Sequence, residues 1–555
     1  MAVVDEPELS RPVVLTERKI TIAAGVFSLG GIALFVGLAA FALLLADVAG
    51  VSEGRIFDAY VWRVTRFTLL QAVLSTFLSI LFAIPLALAL ARRPRFPGRV
   101  WIVRLLALPL GLPALVAALG LIGIWGRQGV MNTLLSTLGL AQPVSIYGLS
   151  GILIAHVFFN LPLATRFLLA GLERIPGEYW LIGTNLGMGR LSLFRLIEWP
   201  AIRGLIPGIA GLIFMLCATS FTLVLTLGGG PAASTIEVAI YQALRFDFDP
   251  PRVIALSLLQ IALTGLLLAV ARLLTPPAAE AMTTGRPVVR FDGRDGPAKL
   301  LDGFVILLGA GFVLLPLASV LVSGLQSNLL RLATDPMVHR ALATSLAIAL
   351  CSAFLCVLVT IALVSARQTA LRPRRPPIAA RGLASAIANG SSLVLLVPPV
   401  VLGAGWFLLL QPFGDVARFA PFIVVVINMM MALPFAYGIL DPAIATHRAR
   451  TLRLSESLGL GFLDRLRLID GPSLRRPALM AFSFACALSL GDLGAVALFG
   501  SQDMVTLPYL LYSRMGSYRT ADAAGLALML GLVCVLLTII GTPGERKVEE
   551  DADAR

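Results

Sequence analysis

The chain has 555 residues, of which 58% are hydrophobic and only 14% charged, with a mean hydropathy of +0.90. So few charges cannot cover the roughly two to four soluble domains that this length would need. The composition therefore excludes an ordinary soluble enzyme and a disordered chain, and it points to an integral membrane protein. The formal charge is +13, from 44 basic and 31 acidic residues, and 41 of the basic residues are arginine. The basic residues sit in short clusters between apolar runs, not on one basic face, so they read as a topology signal and imply no nucleic-acid partner.

Residues 1–19 form a polar start with Arg11, Arg18 and Lys19. The apolar run that follows, 20–46, is too long for a signal-peptide core and lacks a prompt small-residue cleavage site, so an uncleaved first span is expected. A spanning helix needs about 20 apolar residues. Further runs follow at 67–91, 101–125, 146–172, 205–227 and 253–274. Residues 275–299 carry Pro276, Pro277, Gly285, Pro287, Gly293, Gly296 and Pro297 among mixed charges, the composition of a cytoplasmic linker. Six more runs lie at 301–325, 341–365, 383–410, 419–440, 478–498 and 521–540, before a charged tail at 542–555. The expected fold class is an all-α integral membrane protein of about twelve transmembrane helices. Its halves are 20–274 and 300–541.

Placing the N-terminus inside and alternating puts 33 of the 44 basic residues in inside segments. That bias obeys the positive-inside rule with both termini cytoplasmic. Seven of those residues, from Arg448 to Arg476, fall in one loop.

An internal repeat underlies the two longest inside loops. Residues 177–203 read GEYWLIGTNLGMGRLSLFRLIEWPAIR, and 449–476 read ARTLRLSESLGLGFLDRLRLIDGPSLRR. At a constant offset of 272, Leu186, Gly187, Gly189, Arg195, Ile197 and Pro200 align with Leu458, Gly459, Gly461, Arg467, Ile469 and Pro472. Pro162 and Gly228 align with Pro434 and Gly500, and with one gap Thr235 and Tyr241 align with Thr506 and Tyr512. Six spans separate each residue from its partner, so the repeats are parallel, with a pseudo-two-fold axis along the membrane normal. Each loop reads as a short helix, a glycine turn and a second helix closed by a proline.

The Gly-x9-Ile-x2-Pro pattern resembles the EAA loop of permease subunits of ATP-binding-cassette importers. Two copies in one chain are similar to the fused permeases of ferric-iron and thiamine importers, the thiamine/thiamine pyrophosphate permeases most of all. The stretches 212–250 and 484–519 carry the same resemblance. It implies a type I importer permease in the bacterial inner membrane. Two cytoplasmic ATPase subunits would dock on Leu181, Gly183, Leu186, Gly187, Gly189 and Pro200, and on Arg453, Ser455, Leu458, Gly459, Gly461 and Pro472. A periplasmic solute-binding protein would deliver the cargo, with lipid as the surrounding partner. The family's Glu-Ala-Ala stands here as Leu181-Ile182-Gly183 and Arg453-Leu454-Ser455, and the Leu before Pro as Trp199 and Gly471. Individual contacts are thereby put in question, with Glu178 or Glu456 as substitutes for the missing acid.

No lysine precedes Ser or Thr in a GxxxxGK[ST] loop, so the chain is expected to bind no cofactor itself and to be no enzyme. ATP and Mg would belong to the partner ATPase. Cys217, Cys351, Cys356, Cys486 and Cys534 lie in apolar runs without a CxxC pair, and His156, His339 and His447 fit no zinc spacing, so no metal site is expected. Candidate pathway and gate residues are Ser220, Thr222, Glu237, Tyr241, Asp492 and Tyr512. The spans are otherwise nearly free of ionisable groups, which gives weak support to a proton-coupled twelve-span carrier. That carrier and a ferric-iron or other small-solute permease are the alternatives.

Overall fold

The computed structural model describes residues 11–45, 58–139, 145–274, 296–373, 375–391, 397–414, 416–458, 462–500, 504–517 and 519–541. These residues form helices and no strand. The principal helices in chain order are α1 (Arg11–Leu45), α2 (Ala59–Arg92), α3 (Ala114–Trp125), α4 (Leu149–Glu173), α5 (Gly177–Asn185), α6 (Ile206–Ala218), α7 (Ile236–Arg245) and α8 (Pro250–Leu274). They continue as α9 (Gly296–Leu325), α10 (Pro336–Ala370), α11 (Pro399–Leu410), α12 (Val416–Ser457), α13 (Gly471–Gly491), α14 (Leu507–Gly516) and α15 (Thr520–Gly541).

Among the described residues, nine helices are long and apolar enough to cross a membrane, and a bent pair, Arg190–Arg203 with Ile206–Ala218 at 54°, makes a tenth. The protein is a multi-pass membrane protein. The remaining two of the twelve runs are interrupted for identifiable reasons. In 383–410, Pro398 and Pro399 start the short helix α11, and the helix Ile378–Gly390 ends before them. A proline lacks the N–H that would continue a helix through it, and it pushes its predecessor out of helical geometry. In 478–498, α13 begins in the second repeated loop, before Arg475 and Arg476, and ends at Gly491, where Asp492 turns extended. Pro109 and Pro113 likewise divide the run 101–125 into Arg99–Leu105, Leu108–Gly111 and α3.

Two compact units emerge, and they are not the two sequence halves. One, the N unit, comprises 49–335 and 511–531; the other, the C unit, comprises 1–48, 336–510 and 532–555. Each unit therefore contains the first helix of the opposite half. In the C unit, α1 packs on α10 so closely that a Cβ on Gly25 would meet the Ala366 Cβ at 2.2 Å. Trp406 of α11 donates to the Phe35 carbonyl at 3.2 Å and stacks on the Phe35 ring at 4.6 Å. In the N unit, α9 crosses α3 where a Cβ on Gly120 would meet the Pro316 oxygen at 2.4 Å. Small residues at such crossings let backbones approach in a bilayer, where apolar burial alone drives no association. Large apolar side chains such as Phe27 and Leu307 remain exposed, as a lipid-facing surface requires.

Polar groups inside the units tie helices together, and several ties are duplicated. The Ile236 amide that opens α7 donates to Thr68 Oγ1 on α2 at 3.0 Å. In the C unit the Leu507 amide that opens α14 donates to Ser345 Oγ on α10 at 2.8 Å. Asn160 Nδ2 on α4 reaches Cys217 Sγ on α6 at 3.3 Å, and Asn428 Nδ2 on α12 reaches Ser489 Oγ on α13 at 2.9 Å. Cys217 and Ser489 stand at the same 272-residue offset as the loops. The asparagines do not, being one helical turn apart in the alignment.

Candidate functional site

The first of the two repeated loops is built from α5 upward. Pro176 caps α5, and the helix ends in a Schellman turn: Gly187 N–H donates to the Thr184 carbonyl at 3.0 Å and Met188 N–H to the Gly183 carbonyl at 2.9 Å. The turn needs a left-handed residue, and Gly187 supplies it with φ +61°. Gly189 is different. It is extended, with φ −74° and ψ 168°, and its position is open, so any residue fits there. Gly183 is buried, and a Cβ on it would meet Leu193 Cδ2 at 2.8 Å. Ser455, its counterpart, is also buried. Both copies thus keep a small buried residue at this position. Trp180, Leu193 and Ile202 complete the kernel of the first loop. Leu181 and Leu186 face outward at 54% and 71% exposure, beside exposed Ile182, Leu191 and Leu196. Where the family's acid stands, this loop presents an apolar face.

After the turn, helix resumes at Arg190–Leu193, widens into a π turn at Phe194–Glu198, and narrows again at Trp199–Arg203. The C-half loop does the same, with Phe462–Arg465, a π turn at Leu466–Asp470, and then α13. The two π turns sit at the same 272-residue offset. Pro200 and Pro472 therefore do not close the second helix, as the sequence suggested. Each lies in the first turn of the helix that follows a π turn. There a proline's missing N–H is tolerated, and the wider turn before it relieves the clash with the preceding carbonyls.

The C-half loop departs at its start. The chain is continuous helix through 457 because Arg448 stands where the N half has the helix-breaking Pro176. Arg453 lies in this helix, and Leu458 follows it as an exposed turn residue. Gly459 and Gly461 lie outside the described residues.

Charged residues that the sequence reading did not single out brace both loops. Asp302, at the start of α9, has its side chain 1% exposed and collects three arginines. Arg92 Nη2 lies at 2.9 Å, Arg93 Nε at 3.2 Å, and Arg190 Nη2, from the loop itself, at 3.6 Å. In the C unit, Asp470 closes the π turn and bonds His447 Nε2 at 2.7 Å and Arg465 Nε at 3.3 Å. Arg367 and Gln368 converge on Asp441 at 2.9 Å and 3.0 Å. A signal was present in the sequence: Asp302, Asp441 and Asp470 are acids placed near arginine clusters.

The pathway candidates divide between the units. Ser220 lies within the break after α6, where 219–221 is not helical, and Thr222 opens the helix that follows. Tyr241 is buried on α7, with Phe221 edge-on at 5.3 Å and Phe246 edge-on at 5.7 Å. Glu237, one turn before Tyr241, has no exposed surface, and neither carboxylate oxygen has a hydrogen-bond partner. Burial holds its carboxyl well above the ordinary glutamate range. Tyr512 is half-buried in the N unit. Asp492 belongs to the C unit, where its Oδ1 accepts the Gly494 amide at 3.0 Å and its Oδ2 is buried without a partner.

The chain is 52% identical over 518 residues to the thiamine transport system permease protein of Brucella abortus, covering 93% of this chain and 94% of the relative. It belongs to the thiamine transport system permease family. The Escherichia coli member is 44% identical over 89% of this chain and 91% of its own length. The Haemophilus influenzae member is 39% identical over 86% and 88%. No family model matches the chain. Membership in the thiamine permease family covers both repeats and the region between them, so the doubled loop is part of the matched architecture and not an appendage to it.

Proposed function

We propose that the chain is the membrane permease of an ATP-driven, binding-protein-dependent importer that carries thiamine or its phosphates across the bacterial inner membrane, with both termini cytoplasmic. The observation that carries the coupling is the π turn repeated at the same register in both loops, which in the N half follows an apolar face and a glycine turn. A π turn inside an α-helix is uncommon and clusters at working sites. Two cytoplasmic ATPase subunits dock there, one per loop, through Leu181, Gly183, Leu186, Gly187, Gly189 and Pro200 in the N half. Arg453, Ser455, Leu458, Gly459, Gly461 and Pro472 form the C-half counterpart. ATP and Mg are held by those partners, and the permease performs no hydrolysis. A periplasmic binding protein delivers the cargo, and Ser220, Thr222, Glu237, Tyr241, Asp492 and Tyr512 line or gate its route. Only a partner with different affinity for the inward- and outward-open states can shift between them, so the ATPases must grip the loops differently in each.

Gly187→Val tests this. A β-branched residue at φ +61° costs on the order of 1–3 kcal/mol locally and distorts the turn. Uptake of labelled thiamine into cells is expected to fall by about tenfold or more, while the permease still reaches the membrane. Normal uptake, or an ATPase that fails to co-purify with the wild-type chain, sinks the docking role.

A further inference from the structure

Helix α6 stops at Ala218 deep inside the N unit, and helix resumes only at Thr222. The end of a helix is the negative end of its dipole. Two glutamines cap it. Gln71 Nε2 donates to the Cys217 carbonyl at 2.9 Å and to the Thr68 carbonyl at 3.1 Å. Gln260 Nε2 donates to the Ala218 carbonyl at 3.4 Å. The Oε1 atoms of both glutamines are buried with no partner. The Thr68 hydroxyl takes the Ile236 amide, which joins the first turn of α7 to the same network, and Glu237 is the next residue. Its two oxygens, and the hydroxyls of Ser234 and Thr235 before it, are also buried and unpartnered.

Buried polar atoms normally have partners, and an unpaired carboxylate in a low-dielectric interior is costly. Here the unpartnered atoms are acceptors or hydroxyls: two belong to the glutamines on the negative end of α6, and the rest to the start of α7, which Thr68 ties to Gln71. Broken helices whose carbonyl ends and neighbouring oxygens face a cation are a recurring device of transporters. The duplicate supplies a comparison within the molecule. The C half keeps the scaffold bond, Leu507 amide to Ser345, but at the positions of Gln71 and Glu237 it has Ile348 and Pro508. The structural tie therefore needs neither acceptor.

We propose that the break at 219–221, with Gln71, Gln260 and Glu237, is a station that binds the cargo as an organic cation on its way through the N unit. Glu237 is the counter-charge, the glutamine oxygens receive N–H groups, and the edge-to-face row of Phe221, Tyr241 and Phe246 receives a flat charged ring. This rests on the thiamine reading, because thiamine carries a permanently cationic thiazolium ring and an aminopyrimidine. A positive charge beside Glu237 favours its ionised form.

The test uses the reconstituted permease–ATPase complex in liposomes, with its binding protein. Uptake of labelled thiamine is compared with that of 3-deazathiamine, a neutral analogue in which carbon replaces the ring nitrogen. Glu237→Gln is expected to lower the thiamine preference, relative to the wild-type complex, by about tenfold. Glu237→Asp should retain most of it, and Gln260→Leu should show a smaller loss. Equal loss for both cargoes in Glu237→Gln, or an unchanged preference, overturns the station. A second arm measures thermal shifts of the complex by thiamine and by tetramethylammonium. If the wild type does not take up thiamine, the cargo reading fails. The station then stands if tetramethylammonium shifts the wild type and not Glu237→Gln, and it falls if no cation shifts the wild type.

Discussion

A carboxyl group buried without a partner keeps its proton, and this gives Glu237 a measurable effect on stability. Its ordinary value is 4.5, and burial raises it well above that. Below about pH 4.5 both the folded and unfolded chains hold the proton, so no linkage arises. As pH rises past that value, the unfolded chain ionises while the folded chain does not. Unfolding then releases a proton, and stability falls with rising pH until the folded group itself titrates. Glu237→Gln removes this term. In detergent, its apparent melting temperature should fall less than that of the wild type between about pH 4.5 and pH 7. Parallel curves for the two proteins would show that Glu237 is not held protonated by the fold. At this scale the sequence was informative where a residue type is rare in its setting. An acid near a span and a glycine at a repeated position both stood out. Gln71 and Gln260 did not, since a single amide in an apolar run has no periodicity or charge to mark it, and its meaning depends on which carbonyl it reaches.

At the scale of elements, apolar runs located the helices well and their interruptions poorly. Each of the twelve runs has a helical counterpart, but hydropathy does not register that Pro398 and Pro399 split one run or that α13 reaches back through Arg475 and Arg476 into the loop. The spacing from Gly187 to Pro200 marked a repeated loop with a left-handed turn at its glycine, yet the π turn between them was not visible. A π turn arises from the fit between a helix and the proline ahead of it and leaves no composition of its own. The bracing acids were legible in principle, and Asp302 is the most informative of them. It ties Arg92 and Arg93 at the end of α2, and Arg190 of the loop, to the start of α9. Replacing it leaves three guanidinium groups around a neutral side chain, and breaking a buried pair costs about 3–5 kcal/mol. Asp302→Asn should therefore lower thermal stability and reduce cargo moved per ATP hydrolysed, with Asp302→Glu recovering part of both. An Asp302→Asn protein that is less stable but keeps full uptake per ATP would limit Asp302 to a structural role.

For the whole molecule, the internal repeat and the compact units describe different divisions of the same chain. The repeat divides the sequence between 20–274 and 300–541, and the units exchange α1 and α9 across that division. Hydropathy and repeat offset could not show the exchange, because both are blind to which neighbours a helix chooses. The contacts that decide it are backbone approaches at Gly25 and Gly120, which require a small residue and nothing more distinctive. The exchange has a consequence for folding. A fragment ending at about residue 285 carries α1 without α10 and α11, and it carries α2 and α3 without α9. Neither unit is complete in either fragment. Exposed small-residue faces have no lipid substitute of matching shape, so each fragment alone should be degraded or remain unfolded. Expressed together, the two pieces should assemble, because every pairing within the units can still form and the cut falls in the stretch 275–299 that the sequence reads as a linker. Affinity purification through a tag on either piece should recover both, with thiamine uptake restored to within a few-fold of the intact chain. Stable accumulation of the first piece by itself, as a folded six-helix unit, would show that the sequence halves and not the exchanged units are the independently stable bodies.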